Sequence, residues 1–393
     1  MKRSVTVIAP EGVDDPARPS GGNRYDMGLL QELPELGWEA QLLPVPGSWP
    51  LPSANDRSSL AGVLDELPEG SIVLVDGLVG ACVPAEMEAA AQRLHLVLLV
   101  HMPLANDTGR APEQAALLDA AERRVLHSAA ATVATSSHTA DYVTAHHGLR
   151  ADTVHVAVPG VREEPVTALG YGGDLLCVAN LTPGKGISVI IRALAGLTDL
   201  AWHLRLVGRL DADPAHVASL KAQIGAADLN SRITLTGTLT GADLDSAYRT
   251  SDLLVLPSFQ ETYGMCVTEA LSRSVPVFAS HVGGVPEAVG SVRRERPGRL
   301  LPPGDDEAWA TALREWLVDA DLRARMKEVA RQRRHSLPTW RATALSVIEA
   351  LYGRPSNRPA PTTTSVFTMP YPWPPKQPVA PTVDATAAGE ESR

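Results

Sequence analysis

The sequence predicts an α/β protein of two doubly wound domains that face each other across a cleft. Two observations carry this. Short, near-continuously apolar runs alternate with amphipathic stretches along the 393 residues, and the alternation occurs twice, on either side of a segment that breaks it. Runs without polar alternation suit strands covered by helices on both faces, and a βαβα series folds as a parallel sheet with right-handed crossovers.

The first series places strands at Val5–Ala9, Ile72–Asp76, Leu96–His101, Ala131–Ser136 and Thr153–Val158. Between Pro159 and Gly173, Pro-Gly, Glu-Glu-Pro and Gly-Tyr-Gly-Gly interrupt the period. The second series places strands at Leu175–Ala179, Leu204–Gly208, Ile233–Thr236, Leu253–Pro257 and Val275–Ser280. The expected organisation is a first domain over 1–162, a second over 170–335, a closing helix over 336–353 and a tail over 354–393. The tail is rich in Pro, Thr and Ala and has no period, so it is expected to be disordered. Stretches between Trp38 and Ser58 and between Ala105 and Pro112 are expected to be irregular loops on the acceptor side. Ligands of open α/β sheets bind beyond the carboxyl ends of the strands, which makes the cleft the expected site.

Composition narrows the function. A hydrophobic fraction of 44% and a charged fraction of 20% fit a globular body, and the formal net charge of -10 disfavours nucleic acid or an anionic membrane as partner. Cys82, Cys177 and Cys266 are far apart and form no Cys-x-x-Cys, which argues against a disulfide framework or a cysteine zinc site and fits a reducing cytosol. The start, MKRSVTVIAP, reads as a buried strand. The most apolar stretch, Leu94 to Leu104, is too short to span a bilayer and carries His95 and His101. A cytoplasmic location without a transmembrane segment is expected, with peripheral membrane contact left open.

The chemistry concentrates in residues 251 to 289. A buried strand, Leu253–Leu256, stops at Pro257-Ser258, and a polar loop carrying Glu261 leads through Tyr263 into a helix beginning near Gly264. A helix N-terminus directs unpaired N–H groups and about half a positive charge into the cleft, a phosphate site that needs no metal. Gly264 lets a ligand approach the backbone, here that of Tyr263, Gly264, Met265 and Cys266. Glu261 stands beside that site, able to accept from sugar hydroxyls. Glu269 lies a little over two turns along, able to accept a ribose diol. Two glutamates alone would read as solvated charges. The whole string through Val275-Pro276-Val277, Gly283-Gly284 and Glu287 does not.

That string resembles the donor-binding signature of glycosyltransferase family 4, retaining enzymes of the GT-B fold with two Rossmann-like domains. The resemblance implies that Glu261 sits near the transferred sugar and Glu269 on the nucleotide ribose. It implies a nucleotide-sugar donor, no cofactor, and transfer to an acceptor the sequence does not identify. Other stretches are similar to the family at matching positions. Gly21 and Gly22 fit a glycine-rich loop whose backbone approaches the donor phosphates, and His101 fits a histidine close to the sugar. Lys185 fits a cation on the diphosphate, whereas Asn180 stands where the family commonly has arginine, so one charge-assisted contact becomes neutral. Gly208 and Thr238 fall where the family lines the base pocket, and Arg209 faces either the diphosphate or solvent. The last helix, with Trp340 as anchor, is expected to return to the first domain, as in GT-B proteins.

Lys185 and the amides of 263–266 are then expected to stabilise the departing diphosphate. Asp243-Leu244-Asp245 has metal-like spacing but follows Gly241-Ala242 as a helix start, so no metal is expected. Competing readings keep the fold and change the reaction, to a nucleotide-sugar epimerase, a sugar phosphorylase or a catalytically silent nucleotide-sugar-binding protein. A dinucleotide oxidoreductase is disfavoured, because no Gly-x-Gly-x-x-Gly follows the first strand.

Overall fold

A computed structural model of the chain describes residues 3–15, 19–107, 109–168, 170–356 and 358. The expected tail therefore lies outside the described residues, except for 354–356 and 358.

Two parallel six-stranded sheets form the body. The first contains β1 (Arg3–Pro10), β2 (Trp38–Val45), β3 (Ile72–Asp76), β4 (His95–Val100), β5 (Ala131–Ala134) and β6 (Val154–Val156), in the order β2-β1-β3-β4-β5-β6. The second contains β7 (Asp174–Val178), β8 (His203–Val207), β9 (Ile233–Gly237), β10 (Leu253–Leu256), β11 (Val277–Ser280) and β12 (Gly298–Leu301), in the order β12-β11-β10-β7-β8-β9. This is the GT-B architecture. The central strands β4, β5, β10 and β11 are buried almost throughout, as their continuous apolar runs require.

Two strands correct the sequence reading, and each lies at a sheet edge. β2 falls within the Trp38–Ser58 stretch expected to be irregular, and Glu39, Gln41 and Pro44 along it are exposed. An edge strand tolerates proline and polar residues because one side of it makes no ladder, so its sequence lacks the signal of a buried strand. β12 is only four residues long and begins with glycine. The β5 run also ends earlier than its apolar pattern suggests. Ser136 leaves the strand to cap the helix Ser137–His147, accepting from Thr139 N at 3.0 Å.

The chain crosses from the first sheet to the second and back along adjacent paths, with Val161 N donating to Pro338 O at 2.9 Å. After the return, the helix Trp340–Leu351 buries Ala344, Val347, Ile348 and Leu351 against Val5, Tyr25 and Leu29 of the first core. Trp340 meets Tyr25 edge-on at 5.9 Å, and a Cβ on Gly28 would lie 2.6 Å from its ring. Among the described residues, no helix is long and apolar enough to cross a membrane.

Candidate active site

Both sheets present the carboxyl ends of their strands to one cleft. The order reverses between β1 and β3 in the first sheet and between β7 and β10 in the second, and loops at such switch points hold ligands. The loops after β1, β4, β7 and β10 deliver Gly21-Gly22, His101, Lys185 and Glu261 respectively.

The second domain contributes most of the polar groups. Glu261 Oε1 accepts from Lys185 Nζ at 2.6 Å and from Ser258 Oγ at 2.9 Å. Burial works to lower the Lys185 pKa, but the Glu261 carboxylate outweighs it and holds the ammonium above its ordinary value. The Glu261 backbone is fixed as well, since its carbonyl accepts from Gly284 N at 3.1 Å. Gly283 makes this possible. Its φ is +50° and a Cβ there would stand 1.7 Å from the Glu261 oxygen, so no other residue fits without moving the loop.

Gly264, at φ +90°, turns the chain into the helix Met265–Ser272, which has no side-chain cap. First-turn N–H groups have no partner within a helix, and here Tyr263, Gly264, Met265 and Cys266 line the cleft. Farther along, Glu269 is buried, and its Oε2 accepts from the fully buried Tyr248 hydroxyl at 2.7 Å. Its Oε1 pairs across the cleft with Arg24 Nη1 of the first domain at 2.6 Å. Asn180 Oδ1 accepts from Arg209 N at 3.4 Å, while the Arg209 guanidinium is held by Asp211 through two contacts of 3.0 Å. Asp243 opens the helix Gly241–Arg249, and Asp245 pairs with Arg273 and Arg249 at 2.9 and 3.0 Å.

In the first domain, Ser20 caps the helix Gly21–Glu32 by accepting from Asn23 N at 3.0 Å. A Cβ on Gly22 would lie 3.3 Å from the His101 ring, and one on Gly21 would lie 3.8 Å from Met265 Sδ of the other domain. All the residues named from the sequence as catalytic or donor-binding line one cavity of about 260 Å³ between the sheets, from Gly21, Gly22 and His101 to Glu261 and Glu269.

Comparison with known proteins relates the second domain to a family. Residues 172–333 match the model of the glycosyl transferases group 1. Those residues are the second domain, and over them the chain is similar to the group 1 glycosyl transferases. A D-inositol 3-phosphate glycosyltransferase of Saccharomonospora viridis is 31% identical over 204 residues, covering 49% of this chain and 46% of that protein. The chain spans about half the length of the curated relatives it matches. Among solved structures, the sucrose-phosphate synthase of Thermosynechococcus elongatus aligns over 89% of this chain and 98% of its own, at 21% identity and a TM-score of 0.73. The Anabaena protein HepE, solved in complex with UDP-glucose, aligns over 89% and 99%, at 18% identity and a TM-score of 0.69.

The cleft also contains groups the sequence did not single out. Asp26 is buried on the helix Gly21–Glu32 and its Oδ1 lies 3.0 Å from His101 Nε2, while Asp76 ends β3 beneath the same histidine. Burial pulls the His101 pKa down, but the Asp26 carboxylate, its hydrogen bond and Asp76 outweigh that and raise it to about 9. Burial raises Asp76 to about 6. Ligand atoms of Asp26, Asp76 and His101 lie within 4.8 Å of one another, a spacing that also suits a cation. A signal for Asp26 existed, because a carboxylate beside Tyr25 on the apolar face of a helix requires a partner. Arg24 gave none, since its partner in the fold is Glu269, more than 200 residues away and on the other domain, and Tyr248 reaches the same acid from a separate helix.

Proposed function

We propose that this chain transfers a sugar from a nucleotide-sugar to an acceptor, with retention of anomeric configuration and without a divalent metal ion, in the cytoplasm. One observation carries the reading: Lys185, Glu261, Glu269 and an uncapped helix start are brought into a single cavity at the switch point of the second sheet. A diphosphate needs positive charge and N–H donors, and Lys185 with the first turn of Met265–Ser272 supplies both. Groups aimed at charge that develops on the leaving oxygen contribute roughly 3 kcal/mol each.

Glu261, fixed through its carbonyl and its carboxylate, positions a sugar hydroxyl, while His101 presents an imidazolium from the opposite wall. Glu269 receives the ribose diol. In the proposed front-face route, the bond from the anomeric carbon to the diphosphate oxygen breaks. The acceptor oxygen bonds to that carbon on the same face, and its proton passes to the departing phosphate.

The test uses protein dialysed against EDTA and a panel of UDP-glucose, ADP-glucose and GDP-mannose, scored by thermal shift and by slow donor hydrolysis. One donor is expected to raise Tm selectively, with hydrolysis lost in Glu261→Ala and weakened in Lys185→Ala. Failure of every donor to stabilise the wild type, with or without magnesium, removes the reading. A donor that binds only with magnesium removes the metal-independent part and points to the Asp26, Asp76 and His101 cluster.

A further inference from the structure

Arg24 belongs to the first domain, yet its partner is the buried acid of the second. With Arg24 on Oε1 at 2.6 Å and Tyr248 on Oε2 at 2.7 Å, both oxygens of Glu269 are taken. Each oxygen keeps a second lone pair, but Glu269 is only 7% exposed, so a ribose diol that reaches it competes with these partners for the space around the carboxylate. Tyr248 is 1% exposed within the second core, whereas the Arg24 side chain is 48% exposed, so Arg24 is the partner free to swing away.

Arg24 and Glu269 also line two adjoining cavities, of about 260 and 490 Å³, and their pair stands on the border between them. The smaller, which contains Lys185 and Glu261, falls short of the roughly 300–1,000 Å³ typical of small-molecule sites. Parting the pair joins the two spaces.

The charges on the donor side point the same way. Asn180 contributes none, the Arg209 guanidinium is engaged by Asp211, and Lys185 is engaged by Glu261. Arg24 is released by the same event that fills Glu269, and it lines the cavity that holds Lys185. A guanidinium recognises a phosphate in bidentate fashion, as it does a carboxylate, so the half-exposed Arg24 can exchange one for the other.

We propose that Arg24 is a donor-binding residue that exchanges Glu269 for the donor diphosphate when the ribose takes over that carboxylate. Nucleotide in the second domain thereby draws the first domain onto the donor. This inference rests on the transferase reading above and deepens it. It separates the two parts of a nucleotide: the nucleoside must compete with Arg24, and the diphosphate recruits it.

The experiment measures affinity for UDP and for uridine, or for the nucleotide and nucleoside of whichever base the donor panel selects, in wild type, Arg24→Gln and Arg24→Lys. Arg24→Gln is expected to weaken UDP at least tenfold and to leave uridine unchanged or tighter, with Arg24→Lys between wild type and Arg24→Gln for UDP. Equal weakening of UDP and uridine, or no weakening of UDP, overturns the exchange and leaves the transferase reading standing. A wild type that binds neither UDP, ADP nor GDP removes both.

Discussion

The two walls of the cleft handle charge in opposite ways. On the second domain, Lys185 and Glu261 neutralise each other in a pair that is partly open to solvent, with side-chain exposures of 29% and 13%. On the first, His101, itself 19% exposed at the cavity, rests on Asp26, which is 1% exposed, with Asp76 close by at 6%. A partly open pair is easily taken over by a ligand, because each member can exchange its partner for a phosphate or a hydroxyl. A pair whose carboxylate is fully buried is expensive to part, because the acid would be left without a partner, and it keeps its charge in place. The second wall is suited to lend its charges to the donor, and the first to hold a fixed imidazolium against it.

The largest effect is expected where the lending wall is broken. Glu261→Gln should lower kcat on the order of 10²-fold, in line with the loss of a group aimed at the reacting centre. It should also leave UDP affinity equal or higher, because Lys185 loses its carboxylate partner and turns to the phosphates. Steady-state kinetics beside a UDP titration checks this. A parallel loss of kcat and UDP affinity would show that Glu261 builds the diphosphate site and does not merely neighbour it.

Next comes the support of that glutamate. Gly283→Ala places a methyl 1.7 Å from the Glu261 carbonyl at a φ of +50°, so the loop must shift. A cost of roughly 1–3 kcal/mol from the overpacking and strain should appear as a lower Tm, with a tenfold or larger loss of turnover. Turnover that survives a lowered Tm would mean that the Glu261 carboxylate finds its position from Lys185 and Ser258 alone.

How much of this was legible differs between the walls. Strand, Glu261, Gly264, Glu269 and Gly283-Gly284 occupy one continuous βαβ unit, so spacing along the chain is nearly spacing in space. The first wall assembles Asp26 from a helix, Asp76 from the end of β3 and His101 from the end of β4. Nothing local joins three single residues on separate elements. Strands with apolar runs were readable, the edge strands β6 and β9 among them, while the edge strands β2 and β12, one carrying Pro44 and the other opening on Gly298-Arg299, were not. Arg24 was hidden for a third reason, because a half-exposed arginine in a first helical turn looks like any solvated side chain.

A smaller and pH-dependent effect is expected from the fixed wall. Asp26→Asn removes the chief group that raises His101, and the imidazole should titrate well below the wild-type value of about 9. A raised histidine pKa stabilises the fold fully below its unfolded value, and that stability is lost as pH rises through the folded value. The wild-type advantage in Tm should therefore be greatest below about pH 6.5, shrink as pH rises from there, and be gone above about pH 9. It amounts to about 1–3 kcal/mol, as for a hydrogen bond to a charged group. Asp76, raised to about 6, and the edge of the Tyr25 ring also face His101, so the titration is best followed by NMR of the imidazole protons themselves. An unchanged His101 titration in Asp26→Asn would place the control of that charge in Asp76.

The smallest effect lies where the walls meet away from the donor. Glu287, on the short helix Val285–Val289 of the second domain, accepts from Ser137 N at 2.8 Å and from Ser137 Oγ at 3.1 Å in the first. A carboxylate at the start of the helix Ser137–His147 meets its unpaired N–H groups and its dipole, but this one belongs to the other domain. The contact thus holds the cleft closed with a strength of about 0.3–1 kcal/mol, as expected for a surface-exposed charge at a helix end. Glu287→Ala should raise the donor KM by no more than about fivefold while leaving kcat and the His101 titration alone, because none of the groups that touch the donor has moved. Uridine, which needs only the second domain, should bind Glu287→Ala as it binds the wild type. Loss of uridine binding would mean that Glu287 shapes the loop of Glu261 from within its own domain, since Gly284 N, three residues away, already holds the Glu261 carbonyl. Closure and donor grip would then be one property of that loop rather than two.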